Sequence, residues 1–347
     1  MGTRKLDSLP NDTILEIARR SGFSSCLALR KVCKKFRGVI DEYPPDVTSK
    51  SIIVAVDPNQ VMLKINQFNE EEKEILHFYK RTETGCKMLT ERFGKGEADF
   101  EITGTPDEAN FGETFLQDLR LTLRHQKSLM NEFTIEWKDT EDNSLLDRFE
   151  NVWKTHEQLI KVKEMYFFVT RAAEVNSVLP FLDPKKLKQI SISQSKEDYR
   201  DRIDLDTADL EKWSDLDQWK GAETIFLELP LPDSSCLKKF FSVGRVMVQV
   251  WFNVMHLKDC LLVKEAFISS QILKDVFITF RSFPESEKKK FTDILGPPAF
   301  EGRHWFFKLP DPSDILHVKL CSDELRFIRI DQSNLTDIGF VKVGNMF

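Results

Sequence analysis

Tyrosine is scarce in this sequence. There are 4 Tyr against 28 Phe in 347 residues. Long apolar runs are missing too. The longest stretch without a charged residue is twelve residues, 246–257, whereas a bilayer-spanning helix takes about 20. No transmembrane helix is therefore expected. Positive charge is not in excess: Lys and Arg total 50 against 56 Asp and Glu, a net charge of −6. That balance argues against a nucleic-acid binder driven by bulk charge. The six Cys (26, 33, 86, 236, 260 and 321) include no CxxC pair. Free buried thiols in a reducing compartment are expected, not a disulfide framework. Residues 1–6 lack the apolar core of a signal peptide. An intracellular location, cytoplasmic and/or nuclear, follows as the expectation.

Catalytic patterns are absent as well. The sequence contains no Walker loop, GxGxxG, GxSxG, HExxH or kinase signature. The six His (77, 125, 156, 256, 304 and 317) never fall at i, i+4 to one another, and no C-x2–4-C pair accompanies them to make a zinc site. No catalytic, metal or cofactor site is assigned, and a non-catalytic protein is expected.

What is present begins at the N-terminus. Leu9-Pro10-Asn11-Asp12 reads as a helix start, with Pro near the first turn and short polar caps beside it. Ile14, Leu15, Ile17 and Ala18 follow at helical spacing, and Gly22 ends the run. Cys26, Leu29, Val32, Cys33, Phe36, Val39 and Ile40 then recur every three or four residues, predicting a second helix that Pro44-Pro45 stops. Two or three helices in about forty residues bury their own apolar faces poorly, so this unit wants a partner. Arg30, Lys31, Lys34, Lys35 and Arg37 read as the solvated face of the second helix.

The order Leu9-Pro10-x-x-x-Ile14-Leu15-x-Ile17, then Leu27-x-Leu29-Arg30-x-Val32-Cys33-x-x-Phe36, resembles an F-box. The resemblance implies docking to a Skp-type adaptor and, through it, to a cullin–RING ubiquitin ligase. The adaptor-binding residues it implies are Leu9, Pro10, Ile14, Leu15, Ile17, Leu27, Leu29, Val32, Cys33 and Phe36. Burying about six such side chains at about 2 kcal/mol each gives roughly 12 kcal/mol gross, much of which association entropy offsets.

Further on, residues 51–56 and 61–65 predict a hairpin with a four-residue turn, Asp57-Pro58-Asn59-Gln60. Residues 70–79 read as a charged helix and residues 94–112 as a loop. From Met130 a frame recurs: an apolar residue, two gaps, then apolar residues at every second position. Its second apolar position falls at 133, 165, 190, 225, 246 and 276, a mean spacing of about 29. Helical stripes separate the frames. The clearest is Leu145, Leu146, Phe149, Val152, Trp153, His156, Leu159 and Ile160; Leu210, Trp213 and Leu216 form another, as do Leu257, Cys260, Leu261 and Phe267. Alternating strand and helix predicts parallel strands. An α/β barrel or doubly wound sheet would also alternate, but an irregular repeat without Gly-rich loops favours an open, leucine-rich-repeat-like β/α arc. His304–Lys308 and residues 315–320 and 325–330 read as a small antiparallel C-terminal cap.

Gln117-Asp118-Leu119, then Leu123-x-x-Gln126-Lys127-x-Leu129-x-x-x-Phe133-x-Ile135, with Gly85-Cys86 and His304-Trp305-Phe306-Phe307, resembles the FTH domain found beside F-boxes in a large nematode family. The resemblance implies a domain that binds target proteins. The expected organisation is an all-helical F-box at 1–46, a hairpin and helical connector at 47–115, and the FTH domain at 116–347, an α+β / α/β chain.

If the frame residues face the helices, the residues between them face away. Tyr166, Phe168, Phe226, Met247, Trp251 and Phe277 are the large ones, and aromatic residues and Met are enriched at interface cores. These six are the candidate target-binding residues. The leading expectation is a substrate receptor of a ubiquitin ligase with an unidentified protein target, and no nucleic-acid or membrane partner. The alternative is a non-degradative bridging protein.

Overall fold

The computed structural model describes residues 8–21, 26–27, 29–30, 32–43, 48–67, 74–83, 86–93, 98–104, 110–126, 128–138, 143–155, 158–195, 205–241, 247–299 and 303–335. The chain divides into two compact units, Met1–Lys186 and Leu187–Phe347. Mixed α/β structure fills both.

The first unit opens with α1 (Asn11–Ser21) and α2 (Lys34–Glu42). Ile14 and Ala18 of α1 pack with Cys26 and with Phe36, Val39 and Ile40 of α2, and Leu9, Leu15, Leu29 and Cys33 close the edge of this small core. The continuous second helix expected from Cys26 to Ile40 is broken. Cys33 is extended, at φ −160° and ψ 165°, and α2 starts after it. Gly22, Ser24 and Ser25 lie outside the described residues.

The sheet of this unit runs β7-β6-β1-β2-β3-β4-β5. Its strands are β1 (Ser49–Asp57), β2 (Gln60–Gln67), β3 (Glu74–Arg81), β4 (Cys86–Phe93), β5 (Ala98–Gly104), β6 (Met130–Trp137) and β7 (Val162–Val169). β1, β6 and β7 are parallel, and β1 to β5 form an antiparallel meander. Three expectations are corrected here. The hairpin turn has two residues, Pro58 and Asn59, because Asp57 pairs with Gln60. Residues 74–79 of the helix expected at 70–79 belong to strand β3, in which His77 and Tyr79 are buried and Leu76 and Phe78 take the other face; residues 70–73 lie outside the described residues. Its charged leading residues masked that two-residue period. The loop expected at 94–112 contains β5, and α3 begins inside it at Phe111, with the Asn110 side chain accepting the Gly112 N–H at 2.9 Å.

α3 (Phe111–Arg124) and α4 (Asn143–Lys154) cover one face of this sheet. A chain of aromatic rings forms the seam: Tyr79 to Phe115 at 5.7 Å, Phe115 to Phe149 at 6.1 Å, Phe149 to Trp137 at 5.4 Å and to Trp153 at 5.1 Å. α4 ends at Lys154, earlier than the stripe to Ile160 predicts. Leu159 is exposed, Ile160 bridges to Leu182, and His156 lies outside the described residues. The short α5 (Ala172–Asn176) follows β7.

The second unit repeats the strand-then-helix step. Its sheet runs β8-β9-β10-β11-β14-β13-β12, with β8 (Gln189–Gln194), β9 (Thr224–Pro230), β10 (Met247–Val254), β11 (Asp275–Ser282), β12 (His304–Lys308), β13 (Asp314–Leu320) and β14 (Glu324–Asp331). β8 to β11 are parallel, and β12, β13 and β14 join antiparallel beside β11. The helices are α6 (Thr207–Asp215), α7 (Asp217–Gly221), α8 (Lys238–Phe241), α9 (Leu257–Ser269) and α10 (Glu285–Leu295). Trp219 packs between Trp213 and Phe240, and Phe291 meets Trp305 at 4.9 Å. Arg329 of β14 donates to the carbonyls of Phe267 and Ser270 at the end of α9, where the helix dipole favours a cation. Among the described residues, no helix is long and apolar enough to cross a membrane.

Candidate functional site

Ile14, Leu27 and Phe36 are buried at 2% exposure or less inside the N-terminal helical module. Their apolar surface is consumed in holding α1 and α2 together. Leu9, Leu15, Ile17, Leu29 and Cys33 are half-buried, whereas Pro10 and Val32 are exposed, Val32 at 49%. The apolar surface this module offers to a partner therefore centres on the exposed and half-buried set.

Arg30 departs from the solvated face expected for the basic run. Its side chain is 6% exposed and reaches Asp118 of α3, Nη1 to Oδ1 at 2.5 Å. It also donates to Asp41 through Nε and, at 3.1 Å, through Nη2. The Tyr79 hydroxyl donates to the second Asp118 oxygen at 2.7 Å. Burial pulls the guanidinium pKa down, but the Asp41 hydrogen bond and the charges of Asp118 and Asp41 outweigh it and the net shift is upward. Burial and then Asp118 push the Tyr79 phenol well up. The network ties the helical module to the sheet behind it. Lys35 is also half-buried, its Nζ donating to the Leu9 carbonyl at 2.5 Å; Lys34 and Arg37 are exposed, as expected, and Lys31 lies outside the described residues.

The candidate target-binding residues divide between the units. Tyr166 and Phe168 stand on β7 of the first unit, half-buried, while Met165, Phe167 and Val169, which alternate with them, are buried on the other face. Phe226, Trp251 and Phe277 stand on β9, β10 and β11 of the second unit, again half-buried and on the face opposite the buried Ile225, Phe252 and Ile278. Phe226 and Phe277 flank Gln249 in register, and Phe277 pairs with Arg326, whose guanidinium grips Asp275. Met247 lies on β10, but its side chain falls outside the described residues.

Sequence reasoning missed how far the first-unit face extends. Register places Phe168 beside Glu136, then Ala55, Met62, Phe78 and Leu89 across β6, β1, β2, β3 and β4. The next rung carries Tyr166, Thr134, Ile53, Lys64 and Leu76. All these apolar side chains are half-buried, on the face away from α3 and α4. The signal was available: β2, β3 and β4 are apolar at both parities, which a sheet with one solvated face does not require. Among the described residues, no three His, Cys, Asp or Glu side chains converge as metal ligands.

Residues 6–47, which include α1 and α2, match the F-box domain, and residues 143–298, from α4 through α10, match the FTH domain. No curated protein and no solved structure matches the chain. The chain therefore carries an F-box followed by an FTH domain.

Proposed function

We propose that this protein is the substrate-recognition subunit of a Skp–cullin–F-box ubiquitin ligase. The F-box docks a Skp-type adaptor, which links it to the cullin, and the body with its FTH domain binds a target protein. The observation that carries this reading is the F-box match at residues 6–47, with Pro10 and Val32 exposed on it. Such a subunit performs no bond chemistry. It raises the effective concentration of a target lysine near the ubiquitin-carrying enzyme. It works inside the cell, in the cytoplasm and/or nucleus. Tyr166, Phe168, Phe226, Trp251 and Phe277 of the open sheet faces, with Met247 of β10, serve as target contacts. The body is leucine-rich-repeat-like, a reading supported by the strand-then-helix step that each unit uses for its parallel strands.

The test is co-expression with the adaptor. Pro10→Ala with Val32→Asp changes exposed positions and spares the small core, so a folded variant is expected to lose adaptor co-purification. Equal recovery of wild type and variant would overturn the docking claim. Proteasome blockade separates the receptor from the bridging alternative: captured target accumulates only if the outcome is degradation.

A further inference from the structure

The open face of the first-unit sheet is apolar in its middle, and its carboxylates are densest at the β6–β7 end. Its apolar row, Phe168, Ala55, Met62, Phe78 and Leu89, spans six strands together with Glu136. At the usual strand spacing that is about 24 Å, the length of about 16 helical residues. Three carboxylates of this face stand on β6 and β7, while Asp57 on β1 and Glu91 on β4 share it singly. Glu132 pairs directly with Glu164, and Glu136 stands four positions further along β6, beside Phe168. Neighbouring neutral hydroxyls hold two of these carboxylates: Thr134 donates to Glu132 and Tyr166 to Glu164, each at 2.9 Å. Like charges directly opposite each other on a sheet are destabilising, and the fold keeps them beside an apolar surface. Lys64, Lys80 and Lys87 of the same face stand on β2, β3 and β4, away from that end.

We propose that this face docks an amphipathic segment of the target protein, whose apolar stripe lies along the row and ends in a Lys/Arg cluster over Glu132, Glu136 and Glu164. The apolar anchors supply most of the affinity, and the carboxylates fix direction and discriminate by charge. The inference rests on the receptor reading and specifies its partner. It extends the contact surface beyond the FTH match, because β1 to β4 precede residue 143.

The test uses the full chain and three labelled peptides of about 16 residues. One has Leu at i, i+3, i+4 and i+7 with Lys at one end. The second replaces those Lys by Glu, and the third replaces the Leu by Ser. In fluorescence anisotropy the Lys/Leu peptide is expected to bind at least about tenfold more tightly than either control. Combined Glu132→Gln, Glu136→Gln and Glu164→Gln should weaken it by about tenfold or more with unchanged circular dichroism, and Phe78→Ser should weaken it too. Equal binding of the Lys and Glu peptides, no binding, or indifference to the triple Gln variant would overturn the proposal. A dimer of the chain that Phe78→Ser dissolves would assign the face to a second copy, and would overturn it also. Should Phe78→Ser fail to fold, the Gln variant still decides. The adaptor takes no part in this measurement, so failure of adaptor docking and failure of this face are read separately.

Discussion

Arg30 and Asp118, 88 residues apart in the chain, form an ion pair that is shut away from water on both sides. Each charge would be costly there without the other. Arg30→Met is therefore expected to cost about 3–5 kcal/mol in urea unfolding, because Asp118 stays buried and unpaired. Asp118→Leu should cost about as much. Removing the network together, with Arg30→Met, Asp118→Leu and Tyr79→Phe, should restore most of the loss, since no buried polar group then lacks a partner. Additive losses would show that the pair is not coupled.

Phenylalanine on the two sheet faces should answer differently to truncation. Phe149→Ala and Phe167→Ala empty sites at 1% exposure or less, and each should cost about 3–5 kcal/mol. Phe168→Ala and Phe277→Ala remove half-buried rings from the open faces, and each should cost about 1 kcal/mol. Comparable losses in all four would mean that the open faces are closed by something in the folded chain.

His317 gives the second unit an acid-sensitive contact. Its ring is buried on β13 and stacks on His304 at 5.1 Å and on Phe306 at 4.8 Å. Burial, helped by the positive groups His304, Lys319 and Arg326, holds its pKa down to about 4. An unfolded His titrates near 6.5, so the unfolded chain takes up this proton first. The contribution is complete above about pH 6.5, falls as pH drops toward 4, and levels off below, at most about 3 kcal/mol in all. The urea midpoint of His317→Gln should fall less steeply with acid than that of wild type. Parallel curves would remove His317 as the cause.

Gly296 ends α10 at φ 85° and ψ 179°, backbone that a side chain disfavours. Its carbonyl also accepts the Trp305 indole N–H at 2.9 Å. Gly296→Ala meets no steric neighbour, so its expected cost of about 1–3 kcal/mol is conformational. A melting temperature equal to wild type would show that the helix end relaxes freely.

Periodicity made the body legible. The frames around Phe133, Met165, Ile190, Ile225 and Val276 all fall at or inside strands, and their buried parity was readable because helices on one face demand it. The split of Phe into core and open-face sets followed from the same parity. Four things stayed hidden. Strand β3 begins in charged sequence and β5 lies in a Gly- and Thr-rich stretch, so local composition pointed away from structure that neighbouring strands impose. The break at Cys33 was invisible because apolar residues continue at helical spacing through an extended residue. Arg30 looked like one more surface cation because its partners, Asp118 and Tyr79, are distant in sequence. For the same reason the apolar row over β1 to β4 needed strand register, which no local window contains.

The Arg30 network has a consequence for how such a protein can be rebuilt. A chimera joined near residue 47 would separate Arg30 from Asp118 and Tyr79. A foreign body would then face an unmatched arginine, and this body would carry an orphaned carboxylate. The N-terminal module and its support are therefore not interchangeable parts. They form a matched pair, and any transplant must carry the lock together with its key.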